Sequence, residues 1–235
     1  MIAITREIAQ KVRDVVDAGL VNGVGIAQPG KMCVEAAVCF ALGLPHGDDP
    51  GCVSTPLRRL KIRLNDSPWS SDQARAAGLR RLAVAQLGSK DALDDVEFVR
   101  RVFEMTIRKS VPAALRSAAK VNPKHAETLE AEAVRCEREG TRESAQAARI
   151  AAASAAAYAA ADAAAYAAGY AAAAYAADAA ADAAAYAAGY AAAYAAGYAA
   201  RDKSLASYAE WVVEILIDMK APGCEWLDLV PVVAQ

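Results

Sequence analysis

The residue types with the greatest chemical reach lie between positions 28 and 46, which read Gln28-Pro-Gly-Lys-Met-Cys33-Val-Glu35-Ala-Ala-Val-Cys39-Phe-Ala-Leu-Gly-Leu-Pro-His46. A cysteine in the first turn of a helix has its thiolate favoured by the helix dipole. A Gly-Leu-Pro-His turn after that helix can return an imidazole toward the thiol, so Cys33 reads as a candidate nucleophile with His46 and Gln28 as companions. The competing reading is a buried helix carrying two small apolar cysteines. Cys33, Cys39, His46 and Cys52 do not form a standard zinc set, because cysteines six apart on a helix point about 240° away from each other. Glu35 with Asp48 and Asp49 offers carboxylates for acid/base or magnesium chemistry, although loop aspartates ahead of Pro50 commonly set turns. Lys31 in QPGKM lacks the further glycines and the Ser/Thr of a phosphate-binding loop. No metal and no cofactor is expected.

The 19 residues from Gln28 to His46 resemble the nucleophile helix of papain-like and transglutaminase-like cysteine enzymes. That resemblance implies a cysteine-dependent hydrolase or transferase acting through Cys33. It stops after His46, because those folds carry their histidine on a strand downstream, whereas this chain shows no sheet pattern and its other histidine, His125, falls in a helical segment.

Periodicity points to an all-α fold, since apolar residues recur at i, i+3 and i+4 and no run alternates as a half-buried strand does. Ile4, Ile8, Val12, Val15 and Leu20 form one stripe. KMCVEAAVCFAL forms a second helix, and the glycines and prolines of GLPHGDDPGCVST forbid regular structure after it. Pro56 opens PLRRLKIRL. Ser70 or Ser71 caps SDQARAAGLRRLAVAQL, which stops at Gly88. DALDDVEFVRRVFEMTIRK is the most amphipathic segment, with Leu93, Val96, Phe98, Val99, Phe103 and Ile107 as expected core. Pro112 and Pro123 begin two more helices. Gly140 before Thr141 is a helix stop followed by an N-cap, which places a boundary between a multi-helix domain over 1–140 and an arm over 141–220. An apolar tail, 221–235, is expected to pack across a groove.

The arm is compositionally unlike the rest. Residues 151–200 hold 35 Ala, 8 Tyr, 3 Asp, 3 Gly and 1 Ser, and DAAAYAAGYAAA occurs at 162–173 and again at 182–193. Alanine has the best helix propensity, so the tract reads as one long helix, about 117 Å from Arg142 to Met219 at ~1.5 Å per residue, or as several helices. Tyr158, Tyr166, Tyr170, Tyr186, Tyr190, Tyr194 and Tyr198 fall on a near-continuous i, i+4 row. Each step advances about 40°, so the row winds around the helix instead of holding one coiled-coil seam. Alanine elsewhere lets a neighbouring helix approach to the short end of the ~8–10 Å interaxial range, with Tyr rings filling grooves and Gly169 and Gly189 permitting the closest approach.

The formal net charge of −2 conceals three blocks. Residues 1–52 carry 4 basic and 6 acidic side chains, 53–125 carry 15 and 7, and 126–235 carry 7 and 15. Such asymmetry suits either a nucleic-acid surface on the middle block or parts of one assembly that attract each other. Arg58, Arg59, Lys61, Arg63, Arg75, Arg80, Arg81, Arg100 and Arg101 lie at helical spacing without interleaved aromatics, which favours a solvated face. Five widely spaced cysteines behind an amphipathic N-terminus without a signal-peptide pattern suit reduced thiols in the cytoplasm. Asp162, Asp178 and Asp182, each costing ~2.5–3.5 kcal/mol at a bilayer centre, argue against a membrane span.

MCVEAAVCFALGLPHGDDPGCV, KIRLNDSPWSSDQARAAGLRRLAVAQLGS and the Ala/Tyr/Asp tract resemble, over most of the chain, proteins carried by phages and mobile elements. That resemblance implies no activity. The leading expectation is a structural or protein-interaction module, a homo-oligomer assembled through close-packed alanine-rich helices. The alternatives are the Cys33 enzyme and nucleic-acid binding by residues 53–125.

Overall fold

The computed structural model describes residues 3–155 and 198–232. The described residues contain helices and no strand, so the fold is all-α. The helices are α1 (Arg6–Asp17), α2 (Val34–Leu42), α3 (Thr55–Asn65), α4 (Asp72–Ala85), α5 (Asp95–Met105), α6 (Val111–Val121), α7 (Ala126–Glu139), α8 (Arg142–Ser154) and α9 (Tyr198–Asp218). Shorter 3₁₀ segments cover Pro123–His125 and Pro222–Leu229. Two compact units result, one from Met1–Phe98 with Leu205–Gln235, the other from Val99–Ser204. The 3₁₀ tail packs on α1 and α4 within the first unit. There Arg6 binds Asp228, and Arg81 binds both Glu210 of α9 and the Val230 carbonyl.

Local chemistry explains the helix starts. Thr5 and Ser71 cap α1 and α4, each side chain accepting an amide N–H two to three residues into its helix. Thr141 and Ser144 form a reciprocal capping box at the head of α8. Asp94 accepts the amides of Val96 and Glu97. That N-terminal position turns Val96 away from the core, and its side chain is 71% exposed where periodicity alone placed it inside.

Pro112 falls in the first turn of α6, as expected of a helix start, although no loop precedes it. The chain runs from α5 through a π-helical turn, Thr106–Ser110, directly into α6. A proline lacks the N–H that would close an α-turn and crowds the carbonyl four residues back, and a wider turn absorbs both demands. Gly140 is likewise a turn inside a unit. It adopts φ +63°, and a Cβ there would sit 2.5 Å from Nε of Arg108. The Arg108 guanidinium occupies that space because it donates to the carbonyls of Glu137, Arg138 and Glu139, closing the C-terminus of α7.

The second unit packs around Ile107, Val111, Leu115, Leu129 and Cys136 together with seven alanines, Ala114, Ala118, Ala133, Ala145, Ala148, Ala152 and Ala155. The first unit is filled by larger aliphatics, among them Val12, Val16, Leu57, Leu60, Leu64, Leu79 and Leu82, with Tyr208.

Candidate functional site

The loop before α2 is a tight double-backed turn. Val21 N–H donates to the Met32 carbonyl, Ile26 N–H to that of Lys31, and Cys33 N–H to that of Val24. A Cβ on Gly25 would lie 2.1 Å from the Lys31 carbonyl oxygen, so only glycine fits there. The ring Nε2–H of His46 donates to the Gly25 carbonyl at 3.0 Å. Gln28 sits at the exposed tip, where its carbonyl accepts the Lys31 amide.

Cys33 is the N-cap of α2, its sulfur accepting the Ala36 amide at 3.3 Å. Only 4% of the residue is exposed, and burial pushes its thiol above the ordinary value despite that amide. A nucleophilic cysteine needs the opposite shift and an open approach. His46 spends its Nε2 on backbone and Gln28 faces solvent, so this geometry shows no joint engagement of the three residues.

The chemically unusual group lies one turn further on. Glu35 of α2 and Lys61 of α3 are both 0% exposed, with Nζ 3.2 Å from Oε1. The two groups form a buried ion pair, and Oε2 has no hydrogen-bond partner. Burial lifts the Glu35 carboxyl to about 7, with the Lys61 ammonium opposing the rise. Burial also lowers the Lys61 ammonium, and Glu35 resists that change. Three thiols feel this pair electrostatically. Burial and then Glu35 push Cys39 up to about 11, while Cys52 is raised by burial and lowered by the Gly88 amide and Lys61.

Nearby polar groups on the same elements are also buried. Ser54, the N-cap of α3, has an unpartnered hydroxyl, although its amide donates to Ser89 Oγ at 3.0 Å. Gln86, the C-cap of α4, is fully buried with neither amide atom bonded. By contrast Asn65 is satisfied, accepting the Val34 amide and donating to the Val21 carbonyl. Arg75 is 6% exposed and donates to the carbonyls of Asn65 and Leu20 and to Asp72. A pocket of about 610 Å³ opens beside Cys52 and Gly88, flanked by Ile4 and Pro222 on its apolar side and by Lys90 and Asp91.

The basic middle block is not a uniformly solvated face. Lys61 and Arg75 are buried, Arg58 meets Asp48 and Asp49, Arg80 meets Asp17, and Arg81 meets Glu210. In the second unit Arg100 and Arg108 share Glu104, and Arg116 spans Glu130 and Glu137. Most of these carboxylates come from the flanking acidic blocks, the arrangement expected of parts that attract each other.

Sequence weighed Cys52 only as a zinc ligand and Lys61 only within the basic block, and did not single out Ser54 or Gln86, yet two signals were present. Glu35 interrupts a helix that is apolar on every side, so its carboxylate had to be buried and paired. Lys61 shares the i, i+3, i+4 stripe of Leu57, Leu60 and Leu64, which is the face turned inward.

Among the described residues no group of three or more His, Cys, Asp or Glu is placed to hold a metal ion. No described helix is long and apolar enough to cross a membrane. The expected interaction residues Tyr158, Tyr166, Gly169, Tyr170, Tyr186, Gly189, Tyr190 and Tyr194 lie outside the described residues, and Tyr198 is the first residue of α9. Comparison with protein-family models, with curated proteins and with solved structures found no match.

Proposed function

We propose that the chain is a structural, protein-interaction module that assembles with copies of itself through close-packed alanine-rich helices. One observation carries this reading. α8, which leads into the tract, buries Ser144, Ala145, Ala148 and Ala152, followed by Ala155, and no larger side chain. It packs them on α6 and α7, which contribute Ala114, Ala118 and Ala133 beside Val111, Leu115, Leu129 and Cys136. Methyl-sized contacts allow short interaxial separations, and the sequence continues the same composition for 50 residues while adding a tyrosine row that can fix register. The charge pairing within each unit supports an assembly role over a nucleic-acid surface, and the buried, raised Cys33 thiol gives the enzyme reading no support.

Light scattering on the full chain tests the proposal across a hundredfold dilution. A single oligomer of fixed number is expected, and Gly169→Leu with Gly189→Leu should weaken it by blocking close approach. A compact monomer at every concentration overturns the reading.

A further inference from the structure

The loop leading into α2 exposes two large apolar side chains side by side. Gly25 and Met32 form an antiparallel bridge, flanked by the bonds from Cys33 N–H to the Val24 carbonyl and from Ile26 N–H to that of Lys31. Met32 turns into the core at 1% exposure, so the residues on either side of Gly25 face the other way. Val24 is 39% exposed and Ile26 57%, and Ala27, Gln28 and Pro29 at the tip are exposed as well. The hairpin is pinned from outside, since Asp66 Oδ1 accepts the Gly23 amide at 2.9 Å and the Gly25 carbonyl accepts His46. An apolar tip fixed in this way binds without having to order a loop.

This hairpin and the pocket beside Cys52 and Gly88 lie at opposite ends of α1. A Cβ on Gly30 would sit 2.9 Å from the carbonyl oxygen of Ala18, which follows α1, whereas a Cβ on Gly88 would sit 3.5 Å from Cγ1 of Ile4, which precedes it. Twelve residues at ~1.5 Å each put about 18 Å between the two places. α4 repeats the measurement in the other direction: Leu20 N–H donates to the Asp72 carbonyl at its start, and Gly88 lies three residues past its end.

We propose that the Val24–Ile26 hairpin of one copy enters the pocket at Ile4 and Pro222 of a second copy, a head-to-tail contact between first units. The two surfaces match in chemistry. Ile4, Pro222 and Cys52 give the pocket apolar lining for Ile26 and Pro29, and a volume of about 610 Å³ admits a loop tip as well as a single side chain. Residues 18–33 carry one charge, the exposed Lys31 opposite Ile26, and the exposed Asp91 at the pocket supplies its counter-charge with Lys90 alongside. Because knob and socket are different surfaces, the contact is heterologous, and a fixed number of copies requires that it close into a ring. It goes beyond the alanine-rich contacts proposed above and does not depend on them.

The test starts from the full ¹⁵N-labelled chain carrying Ile26→Asp, whose pocket is intact, and titrates it with two unlabelled chains, the unaltered one and Ile26→Asp itself. Saturable shifts are expected at the Gly51, Gly88 and Asp91 amides with the unaltered chain, and binding about tenfold or more weaker with Ile26→Asp. Adding Gly169→Leu and Gly189→Leu to every chain should leave that difference in place, which separates this contact from assembly through the alanine-rich tract. Ile26 is more than half exposed, so its replacement leaves the fold intact, and tryptophan fluorescence checks that it does. Either of two results overturns the proposal: no saturation at these amides with the unaltered chain, or an equal response to both titrants, which assigns the contact to another surface.

Discussion

The two units solve the packing problem in opposite ways. The first fills its interior mainly with Leu and Val, alongside smaller alanines and the rings of Trp69, Phe98 and Tyr208, and within that mass it buries Glu35, Lys61, Arg75, Gln86, Asn65 and three serines. In the second, seven of the twelve residues of the core cluster are alanine, and among its described residues the buried polar ones are Thr106, Ser110, Asn122 and Ser144. Thr106, Asn122 and Ser144 each donate to a backbone carbonyl, the Asn122 amide reaching Ala155 at 2.7 Å. Among its described residues no charged side chain is buried whole, and the Arg116–Glu130–Glu137 network lies exposed. Large side chains leave irregular space that can house polar groups, whereas methyl groups bring backbones too close for anything but short hydrogen bonds. The buried ion pair therefore belongs to the first unit and the alanine-lined helix packing to the second.

The sharpest way to break this contrast is Lys61→Met, which strands the Glu35 carboxylate and should destabilise the first unit by about 3–5 kcal/mol. Glu35→Gln combined with Lys61→Met should recover most of that loss. All three tryptophans, Trp69, Trp211 and Trp226, belong to the first unit, so fluorescence in a urea titration isolates its unfolding.

Next comes pH. The folded state holds the Glu35 proton up to about 7 against an ordinary value of 4.5, so within that window it binds more protons than the unfolded chain. Stability from this group is complete below 4.5 and is lost as pH rises to about 7. Urea midpoints measured across the window should fall with pH less steeply in Glu35→Gln than in the natural chain.

Smaller effects probe the second unit, read by amide hydrogen exchange. Ala148→Leu inserts three carbons where helices meet and should cost about 1–3 kcal/mol. Thr141→Ala removes the capping box of α8 and should cost about 1 kcal/mol. Arg116→Ala should change stability least, by less than about 1 kcal/mol in spite of its two carboxylate partners, because water screens the exposed network.

Much of the architecture was legible because local rules acted without competition. Ser71 caps α4 and Pro56 sits at the start of α3, as residue chemistry demands, and GLPHGDDPGCVST is the irregular loop its glycines and prolines require. Leu93, Phe98, Val99 and Ile107 are buried as periodicity predicts. Val96 failed because a cap residue shifted where the helical face begins. Gly140 was legible as a helix stop, and a stop does not say whether the chain then leaves its unit. The site was less legible. Basic residues at helical spacing look alike until the apolar stripe is drawn through them, and only Lys61 and Arg75 fall on its inner side. Pairings such as Ser54 with Ser89, 35 residues apart, depend on how helices meet and leave no local trace.

The first unit is discontinuous along the chain, with 106 residues, 99 to 204, separating its two segments. During synthesis at ~5–20 residues per second, α1 to α4 emerge about 5–20 s before the partner that completes their core. Over that interval the face of α4 that packs on the 3₁₀ tail waits for residues not yet made, while the helical hairpins of the second unit close on contacts local in sequence. Chaperone demand should thus concentrate on the earlier segment of the first unit, and release should coincide with the arrival of residues 205–235.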